Sequence, residues 1–306
     1  MIRHFDSPAE ARAWARDQKQ AGRSLGFVPT MGALHVGHLS LAQQALAEND
    51  VVCVSVFVNP LQFDEAQDLA AYPRDLDGDV RALDQIGCQM VFTGTLEEFF
   101  EGELDEDGRL PAEFRQKAGK GGQGLEGGVR DGHFDGVATI VDRLFEYVRP
   151  DRAYFGQKDF QQCLVVRDVA KRRGAPTVVV CPTDREPGGL ARSSRNQRLN
   201  EEQRAQGRSL SSALRRCTEA WQAGERIPAR LEQVLRKEFA AWGVECDYAG
   251  VRDPQDWTAE TPEGPLTEAV ALVAARLGPV RLLDNHLLCE PLPRAILDGI
   301  PSEERS

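Results

Sequence analysis

No CxxC pair occurs among the seven cysteines (Cys53, Cys88, Cys163, Cys181, Cys217, Cys246 and Cys289). That absence removes zinc ribbons and thioredoxin-like redox sites from consideration. Several of these thiols sit in apolar runs such as Val51-Val52-Cys53-Val54, where a reduced cysteine is a small hydrophobe. Positive charge is also short. The formal net charge of −11 argues against general affinity for nucleic acid or an anionic membrane, so a polyanion must enter a local pocket of cations. The longest clean apolar run, Val51 to Val58, is far too short to span a bilayer, and Met1 to Asp6 lacks the apolar stretch of a secretory signal. The chain therefore reads as a cytoplasmic protein with structural thiols. Neither a Ser/His/Asp nor a Cys/His arrangement stands out, and no internal repeat is visible.

What is present suffices for two domains, since 306 residues can bury a core without disulfide or metal staples. Ser7-Pro8-Ala9-Glu10 opens a helix with a hydroxyl N-cap, a proline at the first helical position and a capping-box glutamate. Leu25 to Val28 reads as a buried strand broken by Pro29. A glycine turn, a helix from about Val36 to Asn49 and the β-branched strand Val51 to Val58 follow. This is a βαβ unit, which places ligands at the strand carboxyl ends.

Further helices are expected at Asp75 to Ile86, Ala138 to Val148 and Phe160 to Arg172. Strands are expected at Met90 to Phe92, Arg152 to Phe155 and Thr177 to Cys181. Glu101 to Gly128, rich in glycine and charge, reads as a mobile excursion. After Pro182 the pattern changes to helices over Asn200 to Gln222 and Pro228 to Trp242. Strands then fall at Asp247 to Arg252, Val270 to Leu277 and Val280 to Leu283. The fold class is thus α/β: a Rossmann-like parallel-sheet nucleotide-binding domain over 1–181, then a smaller C-terminal α+β domain over 182–306. The last residues, Pro301 to Ser306, are expected to fray.

Two of only five histidines lie in one turn, His35-Val36-Gly37-His38, where a strand hands over to a helix. Glycines there let backbone approach a ligand, and the helix N-terminus offers unpaired N–H groups and a positive dipole end. Two imidazoles three residues apart can each donate to phosphate oxygen. On this turn alone a metal pair or two ordinary surface histidines stay open, although a metal would need a third ligand. His4 and His286 have no supporting context and read as structural.

The whole segment Pro29-Thr30-Met31-Gly32-Ala33-Leu34-His35-Val36-Gly37-His38 resembles the HIGH-motif nucleotidyltransferases, and in its extended form the pantothenate synthetase (pantoate–β-alanine ligase) family. Further blocks are similar to that family in order and spacing. They are Phe57-Val58-Asn59-Pro60-Leu61-Gln62-Phe63, Tyr72-Pro73-Arg74 with Asp79, and Gly132-His133-Phe134-Asp135-Gly136-Val137. Phe155-Gly156-Gln157-Lys158-Asp159-Phe160-Gln161-Gln162, Arg185-Glu186 and Ser193-Ser194-Arg195-Asn196 continue the series, and the ending Arg281-Leu282-Leu283-Asp284-Asn285 is similar too. Taken singly, Asn59-Pro60 could be only a turn, Lys158-Asp159 a surface pair, and the serines a plain loop.

The resemblance implies a two-step reaction. Pantoate is adenylated by ATP with release of pyrophosphate, and β-alanine then displaces AMP to give pantothenate. It implies ATP contacts from Met31, Gly32, Ala33, Leu34, His35, Val36, Gly37 and His38, and from Gly156, Gln157, Lys158 and Asp159. Asp184, Arg192, Ser193, Ser194 and Arg195 complete that set, with His38, His35, Lys158 and Arg195 catalytic. Pantoate and β-alanine would meet Gln62, Gln162, Asn59, Met31 and Arg130, and Mg²⁺ would meet Asp79. A homodimer and a C-terminal lid carrying the Ser193–Asn196 loop are implied as well.

The chain departs from the family pattern in four places. Val36 stands where a polar residue is usual, Gly188 where aspartate is usual, Asp131 where proline is usual, and Arg192 where a methionine lies near adenine. Other readings of the same turn are an adenylyltransferase acting on a phosphorylated cofactor precursor, a class I aminoacyl-tRNA synthetase, or a nucleotide-binding protein without activity. The synthetase would need a longer chain and a basic tRNA surface, and the adenylyltransferase would not need the Asn59–Phe63 and Gly156–Gln162 blocks.

Overall fold

The computed structural model of the chain describes residues 1–64 and 66–298. It divides into two compact units. The first comprises Met1–Gly122, Glu126–Gly156 and Gln161–Cys181, and the second comprises Gln123–Leu125, Gln157–Phe160 and the chain from Pro182. Pro301 to Ser306 lie outside the described residues.

The first unit runs β1 (Arg3–Phe5), α1 (Pro8–Gln20), β2 (Leu25–Thr30), α2 (Val36–Glu48), β3 (Val51–Val56), α3 (Ala66–Ala70), α4 (Leu76–Gln85) and β4 (Met90–Phe92). It continues with α5 (Leu96–Phe99), α6 (Leu125–Val129), α7 (His133–Val148), β5 (Arg152–Gly156), α8 (Phe160–Arg173) and β6 (Thr177–Cys181), where the first residues of α6 and α8 group with the second unit. The six strands form one sheet in the order β1-β4-β3-β2-β5-β6, and every pairing is parallel. Parallel strands need crossovers, and these put helices on both faces.

Alternating side chains supply the two faces. Leu25, Phe27, Val51, Cys53, Met90 and Phe92 join a core closed by α1, α7 and α8. Val28, Val52, Val54 and Val91 join a second core closed by Leu41, Ala42 and Ala45 of α2 and Leu83 of α4. Truncating fully buried Phe27 to alanine should cost about 3–5 kcal/mol, because its site is walled by sheet and helices and cannot collapse.

Several sequence expectations need correction. Pro29 does not end β2; it pairs in register with Ser55. The N–H and carbonyl of Leu25 both bond Asp151, so odd residues of β2 point toward β5. The β2–β5 ladder has ended by Phe27, so Pro29 withholds no bond. At α1, Ser7 Oγ accepts from the Ala9 N–H at 3.2 Å, and the cap is that single bond without the reciprocal glutamate bond.

The 101–128 excursion is tied down. Leu110 and Ala118 enter the core, the Gln116 N–H donates to Thr139 Oγ1 at 2.9 Å, and the Ala118 N–H donates to Asp135 Oδ1 at 2.9 Å. Arg143 Nη2 meets both oxygens of Glu103 at 2.7 Å.

In the second unit, α9 (Glu201–Gln206) and α10 (Arg208–Gln222) replace the single helix expected there, dividing at Gly207. They precede α11 (Pro228–Ala241), β7 (Glu245–Arg252), β8 (Val270–Leu277), β9 (Val280–Leu287) and α12 (Arg294–Asp298). β7, β8 and β9 form an antiparallel sheet. Its inward residues Val251, Val273 and Leu282 share a core with Leu214 of α10 and Leu235 of α11. Among the described residues no helix is long and apolar enough to cross a membrane.

Candidate active site

The turn after β2 is built by two polar anchors, Thr30 and Asp79. Thr30 Oγ1 donates to the Ser55 carbonyl at 2.7 Å and accepts from the Gly32 N–H at 3.2 Å. Gly32 sits at φ 81°, and a Cβ there would lie 2.9 Å from Val56 Cγ1, so only glycine makes this bend freely. Ala33 is held at φ 50°, a conformation that L side chains rarely adopt. Asp79, in the first turn of α4, holds it there. Its Oδ2 accepts from the Ala33 N–H at 2.9 Å and its Oδ1 from the Leu34 N–H at 2.7 Å.

His35 then caps α2. Its Nδ1 accepts from the Gly37 N–H at 3.1 Å, and His38 Nδ1 accepts from the His35 N–H at 3.4 Å. Backbone N–H groups only donate, so both Nδ1 atoms are acceptors and each neutral ring carries its proton on Nε2. The rings lie 4.1 Å apart between centroids. The helix cap thus fixes two imidazoles as Nε2–H donors at a helix N-terminus, an arrangement suited to an anion. Val36 occupies the first helical position with 57% of its surface exposed, so the polar residue usual there is not required for the cap.

As a Mg²⁺ ligand Asp79 does not fit. It is 3% exposed, and both carboxylate oxygens already accept backbone N–H groups. Burial raises its carboxyl above the usual value, while the hydrogen bonds from Leu34 and Ala33 pull the other way. Among the described residues no group of three or more His, Cys, Asp or Glu is arranged to hold a metal.

After β3 the chain enters a 3-10 turn, Pro60–Gln62, capped by Asn59. Buried Asn59 accepts from the Leu61 N–H at 3.2 Å and donates Nδ2 to Gln62 Oε1 at 3.0 Å and to the Gly136 carbonyl at 3.2 Å. Asn59 thus fixes which branch of the Gln62 amide is oxygen, leaving two N–H donors on the other branch. The Gln62 carbonyl is held from the opposite side. His133 Nδ1 lies 2.7 Å from it and Arg130 Nη2 donates to it at 3.2 Å. A carbonyl only accepts and a guanidinium only donates, so His133 carries its proton on Nδ1 and its Nε2 accepts from Arg130 Nη1 at 3.2 Å. Arg130 also lies 3.6 Å from Asp64 and 3.7 Å from Glu126. The resemblance assigned Arg130 to substrate; in the structure its guanidinium braces Gln62.

The Gln161-Gln162 pair is divided between two tasks. Buried Gln161 accepts from the Glu126 N–H at 2.9 Å and donates to the Gly121 carbonyl at 3.2 Å, fixing the end of the excursion. Gln162 is half-buried, as is Gly156 at the end of β5.

Lys158 lies in the 3-10 turn Gln157–Asp159, with Nζ 3.3 Å from Asp159 Oδ1. This turn groups with the second unit, as does the segment from Asp184 to Arg198. That segment opens as a small hairpin, with a bridge between Arg185 and Ala191. Gly188 and Gly189 both sit at φ 92°, so the glycine at 188 suits a backbone that an aspartate would hold under strain. Arg192 Nε lies 3.0 Å from Asp184 Oδ2, so the unusual Arg192 is held in an ion pair. Ser193 caps the next turn through the Arg195 N–H at 3.3 Å, and Ser193, Ser194 and Arg195 are all half-buried. Asn196 and Arg204 both bond Glu186, closing the segment at its base.

The first unit therefore carries Met31 to His38, Asn59, Gln62, Asp79, Arg130, Gly156 and Gln162, and the second carries Gln157 to Asp159, Asp184 and Arg192 to Arg195. The sequence alone missed the bracing role of His133, the division between Gln161 and Gln162, and the turn-holding role of Asp79. All lie inside recognisable blocks, so their presence was signalled while their task was not. His286 is buried beside the Glu290 carbonyl at 3.2 Å, and His4 pairs with Asp6 at 3.2 Å, which agrees with structural roles.

The chain is similar in sequence and fold to known proteins. A sequence model of the family described as Pantoate-beta-alanine ligase matches residues 3–287. A pantothenate synthetase of Thioalkalivibrio sulfidiphilus is 44% identical over 268 residues, covering 87% of this chain and 91% of the relative. The crystal structure of pantothenate synthetase from Thermus thermophilus superposes with a TM-score of 0.82 at 39% identity, covering 94% of this chain and 99% of that one. The pantoate-beta-alanine ligase of Francisella tularensis, complexed with beta-gamma ATP and beta-alanine, gives 0.74 at 29% identity, covering 96% and 100%. The chain belongs to the pantoate–β-alanine ligase family.

Proposed function

We infer that this chain makes pantothenate from pantoate and β-alanine in two steps driven by ATP. A pantoate carboxylate oxygen attacks the α-phosphorus, forming pantoyl adenylate and expelling pyrophosphate. The β-alanine amine then attacks the acyl carbon, forming the amide and expelling AMP. No covalent bond to the protein is needed, so its work is positioning and charge stabilisation.

The observation that carries this reading is the capped turn. His35 and His38, locked as Nε2–H donors at the α2 N-terminus, would bind ATP phosphate oxygens together with the backbone of Met31 to Gly37. Lys158 supplies a point charge, and Arg195 with Ser193 and Ser194 supplies a fork and two hydroxyls for the departing pyrophosphate. Gly156, Gln157 and Asp159 contribute beside Lys158, with Asp184 and Arg192 toward the base. Gln62 and Gln162 take the pantoate hydroxyls through neutral amides. Met31 would contribute to the same substrate, and Asn59 and Arg130 act through Gln62. The Francisella relative's complex with beta-gamma ATP and beta-alanine supports this choice of ligands.

ATP enters with Mg²⁺ on its phosphates and waters, without Asp79 as a ligand. A homodimer in the cytoplasm completes the reading; the seven cysteines, all thiols, suit a reducing compartment. The test is pyrophosphate release measured with and without pantoate, followed by pantothenate and AMP once β-alanine is added. Release that ignores pantoate would sink the substrate assignment. Pantoate-dependent release without pantothenate would sink the second step.

A further inference from the structure

Asp284 and Asn285 close the Arg281–Asn285 block, for which the reaction above names no task. They are adjacent on β9, so the pleat sends their side chains to opposite faces. Asn285 is 2% exposed, and its Nδ2 donates to two successive carbonyls, Gln157 at 2.9 Å and Lys158 at 2.8 Å. The reversed amide would set its oxygen against both carbonyls, so this orientation is fixed, and Oδ1 is left buried without a hydrogen bond. Asp284 forms a two-pronged ion pair with Arg185, at 2.6 and 2.9 Å, with both side chains almost fully buried. Arg185 in turn donates to the Gly189 carbonyl at 2.9 Å, inside the hairpin that delivers Ser193 to Arg195.

We propose that Asp284 and Asn285 are positioning residues for the phosphate-binding cations: Asn285 sets the Lys158 turn, and Asp284, through Arg185, sets the Ser193–Arg195 loop. Lys158 and Arg195 are 37 residues apart in sequence but hang from neighbouring residues of one strand. Their spacing is then a property of β9. A shift in either turn moves a charge relative to the leaving pyrophosphate, and misplacement of this kind costs rate more than binding of the other substrate.

The inference rests on the adenylating role given to Lys158. Its test is a double-mutant cycle on the full chain with Asn285→Ala, Lys158→Ala and the combination, read as pantoate-dependent pyrophosphate release. Asn285→Ala should lower kcat by about ten- to a hundredfold and leave the KM for pantoate nearly unchanged. Because Asn285 acts through Lys158, the double variant should match Lys158→Ala within about twofold. Isosteric Asn285→Asp, which keeps the volume but removes the donors, should behave as Asn285→Ala. Multiplicative losses, or a normal kcat in Asn285→Ala, would overturn the proposal.

Wild-type protein that releases no pantoate-dependent pyrophosphate would instead defeat the functional reading. The positioning claim would then be decided by hydrogen exchange. Asn285→Ala should speed exchange at the 157–160 amides by about tenfold and leave β2 unchanged. Unchanged exchange at those amides would overturn it.

Discussion

The His35 N–H points at Nδ1 of His38 across 3.4 Å, so the ring that would touch phosphate is also part of a helix cap. Stability and ligand binding can be separated there, because asparagine is among the best N-caps and has no imidazole. His35→Asn should melt within about 2 °C of wild type while pantoate-dependent pyrophosphate release falls about a hundredfold. Calorimetry and the release assay on one preparation check both. Retained turnover would remove His35 from the phosphate-binding set.

The His133 brace predicts a substrate-selective defect. His133→Phe keeps an aromatic ring but loses the bond to the Gln62 carbonyl. The KM for pantoate should rise about tenfold, the value of roughly one well-made buried hydrogen bond, with the KM for ATP little changed. Equal rises in both constants would mean that the substitution disturbs more than Gln62.

Asp79→Asn tests whether that carboxylate serves the turn or a metal. The two N–H groups meet different branches of the carboxylate, and in asparagine one branch is an NH2 donor, so the Ala33–Leu34 bend loses a bond and gains a clash. Stability should fall by about 1–3 kcal/mol, seen as a lower denaturation midpoint. The Mg²⁺ concentration giving half-maximal rate should stay where it is; a marked increase would restore Asp79 as a ligand.

Glu186 gives the loop an acid limit. Burial pushes its carboxyl up, but hydrogen bonds from Asn196 and Arg204 outweigh burial and hold it below its ordinary 4.5. A depressed carboxylate contributes stability that is present above the unfolded value of 4.5 and disappears as pH falls through the lower folded value. Proteolysis within 186–204 should therefore accelerate as pH drops below 4.5 in wild type. In Glu186→Gln it should be faster at neutral pH and insensitive to acid, and a variant that kept the wild-type acid response would place the titrating group elsewhere.

The sequence was legible where pattern and packing agree. Thr177 to Cys181 and Val270 to Leu277 are strands over the bounds their apolar and β-branched content leads one to expect. It was misleading where a local signal met a tertiary exception. Pro29 reads as a breaker, yet its missing donor faces a ladder that has already ended. Arg3 to Phe5 is a three-residue edge strand defined only by its pairing with β4, which no short pattern announces. Gly207 divides α9 from α10 although the amphipathic pattern continues through it. The 101–128 segment is held by hydrogen bonds to α7, invisible in its composition. At the site, the motif blocks named the candidate residues, but which of two adjacent glutamines binds backbone depends on three-dimensional neighbours. So does the grouping of Lys158 with the later half of the chain.

Gly136 has a practical consequence for redesign. A Cβ there would fall 2.0 Å from the Leu61 carbonyl oxygen, and Asn59 bonds the carbonyl of the same glycine. The Gln62 turn is thereby seated on bare helix backbone, with no side chain to trim or enlarge between them. If Gln62 holds pantoate as proposed, attempts to accept a longer or shorter acid cannot tune this contact by degrees. They would have to change the Gln62 side chain itself, or move α7 as a whole.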